Sequence, residues 1–317
     1  MNMVYFIMQQ TMFFTIPLLI VALGGLFSEK SGIVNIALEG KMIMGAFSGI
    51  LFIHFFQDRL PGQPILIVGL LIGMAVGVVI SLLHAYASVN LNANQIISGV
   101  AINMFAPAFA VYAARMLIGS QNIRFVNQFR IDSVPGLGSI PLIGPMFFRN
   151  FYITTVLGFA ILVISVFVLY KTKFGLRLRA CGEHPHAADS VGVSVAKTRY
   201  AGVLISGALA GLGGVVWIVP ISTVFDGSVG GYGFLALAVL IFGAWKPGRI
   251  LFAAVFFGLM MTIASSYQAI DFLNNLNIPS NFFRMLPFIA TLVVLAFTSK
   301  NTMAPKAIGQ PYDKGGR

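Results

Sequence analysis

Apolar residues run along this chain in long unbroken stretches whose ends are marked by charge. No Asp, Glu, Lys or Arg occurs within 1–28, 42–57, 60–114, 150–170, 200–225, 227–245, 250–270 or 285–299. A helix crosses the hydrocarbon core of a bilayer with ~20 apolar residues, so the stretch 60–114 is too long for one crossing. The polar run Ser88-Val89-Asn90-Leu91-Asn92-Ala93-Asn94-Gln95 divides it in two. The pattern predicts nine spans (eight to ten), near 10–27, 40–56, 64–87, 96–118, 151–170, 200–220, 233–245, 250–270 and 285–299. Several are short, which predicts broken or re-entrant segments. A transmembrane barrel needs alternating polar residues, which these runs lack. The expected fold is an all-α polytopic transmembrane bundle.

Composition narrows the function. Of 317 residues 58% are hydrophobic and 9% charged, against ~25% charged in soluble domains. A soluble enzyme, a disordered chain and a nucleic-acid-binding domain are excluded, despite the net charge of +11. One cysteine, Cys181, leaves no internal disulfide. Positive charge sets the orientation. Lys30, Lys41, Lys171, Lys173, Arg177, Arg179, Lys197, Arg199, Lys246, Arg249 and the tail lysines and arginine all fall on one side in the nine-span arrangement. That side is expected to be cytoplasmic, with the C-terminus inside, the N-terminus outside, and 119–150 an external loop. Cys181 then lies in a polar cytoplasmic loop open to thiol reagents. Residues 1–302 form the transmembrane domain, with loop 171–199 inside it. Residues 303–317, with two Pro and three Gly, read as a flexible cytoplasmic tail.

Small residues recur at four-residue spacing: Gly69, Gly73 and Gly77, then Gly45 and Gly49, then Gly207 and Gly211. Such stripes let helix backbones approach closely in lipid, and packing within one subunit is the favoured use. Catalytic motifs and phosphate-binding loops are absent, so no catalytic residue or cofactor is assigned. His184-Pro185-His186 lacks companion carboxylates or thiols and reads as solvated loop, leaving no metal site. Ionisable and amide groups inside a membrane are costly and therefore informative. The segment 28–41, with two Gly, Asn35 and Glu39, reads equally as an unwound piece lining a cavity or as a cytoplasmic loop. Asn94, Gln95 and Asn103 form a second polar interruption. These five side chains are the candidates for a solute path, although for Asn103 a structural bond to a neighbouring helix is the favoured use.

Loop 171–199 carries the most specific pattern. Pro185 suits the first turn of a helix and Gly192 the residue after its end. Between them a two-turn helix, Pro185–Val191, would present Ala187, Ala188 and Val191 on one face, with Gly182 and His184 at its start. Thr172, Gly175, Arg179, Ala180, Gly182, Ala187, Ala188 and Gly192 match the coupling loop of ATP-binding-cassette permeases of the ribose and branched-chain amino acid type, with His184 where Asn is usual. Asn35-Ile36-Ala37-Leu38-Glu39-Gly40, Asn94-Gln95-Ile96-Ile97-Ser98-Gly99 and Gly231-Tyr232-Gly233-Phe234-Leu235-Ala236-Leu237-Ala238-Val239 also resemble segments of that family. The chain looks most like the shorter of two permeases in bacterial nucleoside importers.

The resemblance implies a multi-pass subunit of the bacterial cell membrane that is not itself an enzyme. It implies a second related permease, an ATPase with two fused nucleotide-binding domains carrying ATP and Mg, and an extracellular substrate-binding lipoprotein. It places Gly175, Arg179, Gly182, Glu183, His184, Pro185, Ala187, Ala188 and Gly192 in a cytoplasmic coupling helix and its approach. Nucleosides are the expected solutes, with sugars or branched-chain amino acids as alternatives. An ion-coupled secondary transporter, with Glu39 as the coupling residue, would leave the loop pattern unexplained.

Overall fold

The computed structural model describes residues 2–126, 128–134, 136, 138–141, 144, 146, 149–269, 279, 282, 283, 285–287, 289–292 and 303–313. Its long helices are α1 (Asn2–Lys30), α2 (Leu38–Phe56), α3 (Gln63–Ala85, continued by a π turn over Tyr86–Asn90), α4 (Gln95–Ile118), α5 (Ile153–Lys171), α8 (Val195–Ile221) and α10 (Pro247–Ser266). Shorter helices are α6 (Lys173–Glu183), α7 (Pro185–Ser190) and α9 (Tyr232–Phe242). Local chemistry sets several ends. The Asn94 carboxamide caps α4 by accepting from the amides of Ile96 (2.9 Å) and Ile97 (3.2 Å). Gly119 closes α4 in the left-handed region at φ 71°. Pro185 and Pro247 stand in the first turns of α7 and α10, where a missing amide hydrogen costs nothing.

Among the described residues seven helices are long and apolar enough to cross a membrane. This departs from the nine spans expected. The stretch near 233–245 forms only the eleven-residue α9, because the chain breaks at Gly243 and both Ala244 (φ 48°) and Trp245 (φ 53°) adopt left-handed backbone. Proline at 247 then starts a new helix. The expected span near 285–299 lies largely outside the described residues. The fold is also not wholly helical. Two short antiparallel pairs form outside the helices, β1 (Ile123–Arg124) with β4 (Val224–Phe225) and β2 (Ile131–Ser133) with β3 (Arg149–Phe151). Loop backbone must find partners, and here it finds them in other loops.

α8 is the centre of the bundle, packed on α1, α2 and α3. Glycine makes these crossings. A Cβ on Gly45 would land on the Gly211 backbone, and one on Gly77 would land on the Gly207 carbonyl. The glycine stripes thus serve packing within one chain. α4, α5 and α10 lie outside, exposing Met104, Tyr112 and Met116 of α4, Val163 and Phe167 of α5, and Phe252 of α10.

The loops gather at two ends. At one, the imidazole Nδ1 of His54 at the end of α2 meets the Arg124 carbonyl (2.6 Å), and the Gln63 carboxamide donates to the Phe129 carbonyl (2.9 Å). At the other lie the α1–α2 connection, α6, α7, the turn before α10 and residues 303–313. The Gly309 amide donates to the Gly32 carbonyl (3.0 Å) and the Ala307 amide to the Gly182 carbonyl (2.9 Å). Residues 303–313 are therefore not the flexible end expected from their Pro and Gly content. Their turn at 306–309 finds backbone acceptors on the body of the chain.

Candidate functional site

The interruption at 31–37 between α1 and α2 is unwound, and neighbouring helices supply the hydrogen bonds its backbone lacks. The Val34 amide donates to Gln95 Oε1 (2.8 Å), and the Val34 carbonyl accepts from His84 Nε2 (3.0 Å). The Asn103 carboxamide bridges the start of α2, accepting from the Gly40 amide (2.8 Å) and donating to the Ile36 carbonyl (2.9 Å). Buried non-helical backbone must find hydrogen-bond partners outside its own segment. Here side chains from α3 and α4 supply them.

Behind the break sits a buried polar chain. Lys41 Nζ donates to Asn35 Oδ1 (2.8 Å), and Asn35 Nδ2 donates to Ser206 Oγ (2.6 Å). Both Lys41 and Asn35 are 0% exposed. Lys41 is thus an internal hydrogen-bond donor rather than the surface charge its place beside the loop suggested. Arg199, counted with the same charges, is also buried. Sequence reading missed Ser206 and His84; the available signal was Ser206 inside one apolar run and the pair Ser81 and His84 inside another. Glu29, an acid of segment 28–41 outside the five candidates, accepts from the indole N–H of Trp245 (2.5 Å).

Glu39 ties α2 to α9. Its Oε1 accepts from the Gly231 amide (2.9 Å) and its Oε2 from the Gly233 amide (2.6 Å), at the N-terminus of α9 where free amides favour an anion. A Cβ at Gly233 would strike the Glu39 backbone, so glycine permits the approach. Replacing Glu39 by Ala should leave the buried Gly233 amide without an acceptor, at about 1–3 kcal/mol, and the partly buried Gly231 amide at a smaller cost. We expect a clear fall in the unfolding temperature of the purified protein in detergent, with Glu39→Gln losing less. Unfolding of Glu39→Ala at the parental temperature would show that the tie is unimportant.

The structure therefore brings Asn35, Glu39, Gln95 and Asn103 together around one break. Asn94 stands apart, exposed at the α4 cap.

The second group lies at the end that holds 303–313. The Thr172 hydroxyl accepts from the Gly175 amide (3.1 Å), starting α6, where the sequence pattern predicts a loop. Gly175 packs under the last turn of α5, where a Cβ would strike the Val168 and Leu169 carbonyls. Gly182 packs against the Lys30 carbonyl. Arg179 is half-buried, its guanidinium 5.3 Å from the Tyr170 ring centroid. His184 occupies the position before α7 without a side-chain cap bond, and Gly192 follows α7 at φ 80°.

α7 is a short helix of six residues, and its two faces differ from expectation. Ala188 is 4% exposed, packed with Cys181 and Val195. Ala187 and His186 face outward, with Val191 just beyond, 77% exposed. The reason is that a helix this short must bury one side on α6 and α8 to be held at all. Cys181 is also fully buried, so it is not the accessible thiol expected of a loop. Burial pushes its thiol pKa up, opposed by the Thr198 hydroxyl and the Arg199 charge. A cleft of about 440 Å³ opens between α7 and the 306–311 turn, lined by Glu183, His184, Pro185, His186, Lys306 and Gln310.

Among the described residues, seven long apolar helices around a glycine-packed centre, with polar groups enclosed at a backbone break, define a polytopic helical membrane protein. The chain belongs to the family described as branched-chain amino acid transport system / permease component, which it matches over residues 7–295. It is 44% identical over 313 residues to the guanosine ABC transporter permease protein NupQ of Bacillus subtilis, covering 98% of this chain and 97% of that one. It is 38% identical over 314 residues to the nucleoside ABC transporter permease protein NupC of Lactococcus lactis, covering 99% and 98%. The nucleoside ABC transporter permease protein NupB of the same organism is 27% identical over 266 residues, covering 78% of this chain and 69% of that one. No solved structure matches the chain.

Proposed function

We propose that this chain is the membrane-spanning permease of an ATP-binding-cassette importer that carries nucleosides across the bacterial cell membrane. The observation that carries this reading is the full-length similarity to two permeases of nucleoside transporters, at 44% and 38% identity. ATP hydrolysis belongs to a separate ATPase subunit with fused nucleotide-binding domains, which binds ATP and Mg. A second permease related to this chain completes the pathway, and the presence of NupB beside NupC in one organism supports that pairing. An extracellular lipoprotein delivers the solute.

In this reading α7 is the element that docks on the ATPase, through Ala187, His186 and Val191, while Gly175, Arg179, Gly182, Glu183, His184, Pro185, Ala188 and Gly192 hold it in place. The end of the bundle bearing α7 and residues 303–313 faces the cytoplasm. Lys171, Lys173, Arg177, Arg179, Lys197, Lys246, Arg249 and Lys306 support that orientation, because positive charge is retained on the cytoplasmic side. The break at 31–37, held by Asn35, Glu39, Gln95 and Asn103, borders the solute path, while Asn94 serves as the cap of α4, apart from it. An uncharged nucleoside suits such a path, since it needs hydrogen-bonding and apolar surface rather than a ring of fixed charge.

Deleting the gene for this chain should lower ATP-dependent uptake of radiolabelled guanosine and uridine at least tenfold, and re-expression should restore it. Intact nucleoside uptake with loss of sugar or amino-acid uptake would overturn the substrate and leave the permease assignment standing.

A further inference from the structure

Residues 303–313 join two parts of the molecule that are far apart in sequence. Their 306–309 turn donates from the Ala307 amide to the Gly182 carbonyl (2.9 Å), at the junction of α6 and α7, and from the Gly309 amide to the Gly32 carbonyl (3.0 Å), at the start of the break. The Arg199 guanidinium lies between them. Its Nη1 donates to the Gln310 carbonyl (3.1 Å), while a Cβ added to Gly32 would meet Arg199 Nη2 at 3.0 Å and the Ala307 carbonyl at 3.3 Å. Beyond the turn, the Tyr312 ring stands 5.0 Å from the His186 ring and packs on the Cys181–Ala188–Val195 cluster under α7. Burial and the neighbouring Asp189 carboxylate of α7 push the Tyr312 pKa up.

The segment therefore touches α7 with one end and the unwound backbone with its middle. Displacement of α7 must either break these bonds or carry Gly32 with it. Gly32 adjoins Ile33 and Val34, whose backbone is held by Ser28, Gln95 and His84. We propose that residues 303–313, fastened by Arg199, act as a strap that positions the break at 31–34 relative to α6–α7 and transmits movement of α7 to it. The strap rests on the reading of α7 as the ATPase contact. Its residues are positioning residues, acting on the solute path through the break.

Gly309 offers the test. It holds φ +75° with Val34 Cγ2 3.3 Å from where a Cβ would be, and β-branched residues are strongly disfavoured in that region. Gly309→Val should unseat the turn while leaving the helices of the bundle untouched. The complete transporter, with its ATPase and second permease in proteoliposomes, is assayed for ATP hydrolysed and radiolabelled uridine accumulated. In parallel, labelling of Cys181 by a maleimide reports whether Tyr312 still covers its cluster. For Gly309→Val we expect retained ATPase assembly and hydrolysis, uridine moved per ATP reduced at least fivefold, and Cys181 labelled about tenfold faster. Gly309→Asn, which tolerates left-handed backbone, should restore both readouts. Faster Cys181 labelling with an unchanged uridine-to-ATP ratio would overturn the strap. If Gly309→Val leaves Cys181 protected, removal of 306–317 replaces it, and an unchanged ratio there overturns the proposal equally. Absence of ATP-dependent uridine uptake in the unsubstituted transporter would overturn the permease reading itself, and the strap with it.

Discussion

A chain carrying Ala187→Arg should insert and fold normally yet fail to assemble with its ATPase, and uptake should be lost. Ala187 lies on the outward face of α7, so in the isolated subunit the new guanidinium extends into water at negligible cost. In the complex the same side chain would be pressed into a desolvated contact between a short helix and its groove. Burying a charge without a partner costs about 3–5 kcal/mol, and ~1.4 kcal/mol is a factor of ten in binding, so assembly should fall by at least two orders of magnitude. Ala188→Arg makes the informative contrast. Ala188 is 4% exposed, against Cys181 and Val195. Arginine there would force α7 off α6 and α8 before any partner arrives, and the variant should be unstable on its own. The measurement is copurification of the ATPase with each tagged variant, together with uridine uptake. Full assembly and uptake by Ala187→Arg would remove α7 from the docking surface.

Gly211→Val should prevent the bundle from closing. α8 crosses α3 at this residue, where a Cβ would strike the Gly73 carbonyl and lie 3.0 Å from the Gly77 Cα. The obstacles are backbone atoms, which cannot rotate away as a side-chain end could. Overpacking usually costs about 1–3 kcal/mol and occasionally more. A backbone clash at the centre of three helices belongs at the top of that range. We expect the fraction of monodisperse protein in detergent to drop at least tenfold while membrane insertion persists, since each span remains apolar. Gly248→Ala is the matched control, because nothing lies within 4 Å of its Cβ position. It should be neutral. Parental recovery of Gly211→Val would show that α3 and α8 can separate without harm.

Much of this architecture was legible in the order of residues. Charge-free runs located the long helices, since in a bilayer the length of an apolar stretch is itself the signal. Glycine at four-residue spacing announced close crossings, and Pro185 with Gly192 bracketed a helix. Asn35, Glu39, Gln95 and Asn103 stood out as polar groups where polarity is expensive. What they bond to was not legible, because their partners are Lys41, Ser206 of α8, and backbone groups of the break, of the start of α2 and of the start of α9.

Hydropathy alone could not rank the helices. Lipid tails are as apolar as leucine, so a span facing lipid and a span facing protein read alike. Only the packed structure makes α1 and α8 central and leaves α4, α5 and α10 at the edge. Charges beside a span are ambiguous for a related reason. A lysine or arginine near a helix end can reach water or turn inward to a hydrogen bond, and tertiary contacts turned Lys41 and Arg199 inward. The same holds for the C-terminal segment, whose Pro and Gly content promises flexibility until Gly32 and Gly182 supply acceptors. By itself, then, the sequence determined the membrane class, most helix positions and the family. The tertiary structure decided which polar groups meet, which face of α7 is free, and where the chain end is held, because each depends on partners distant in sequence.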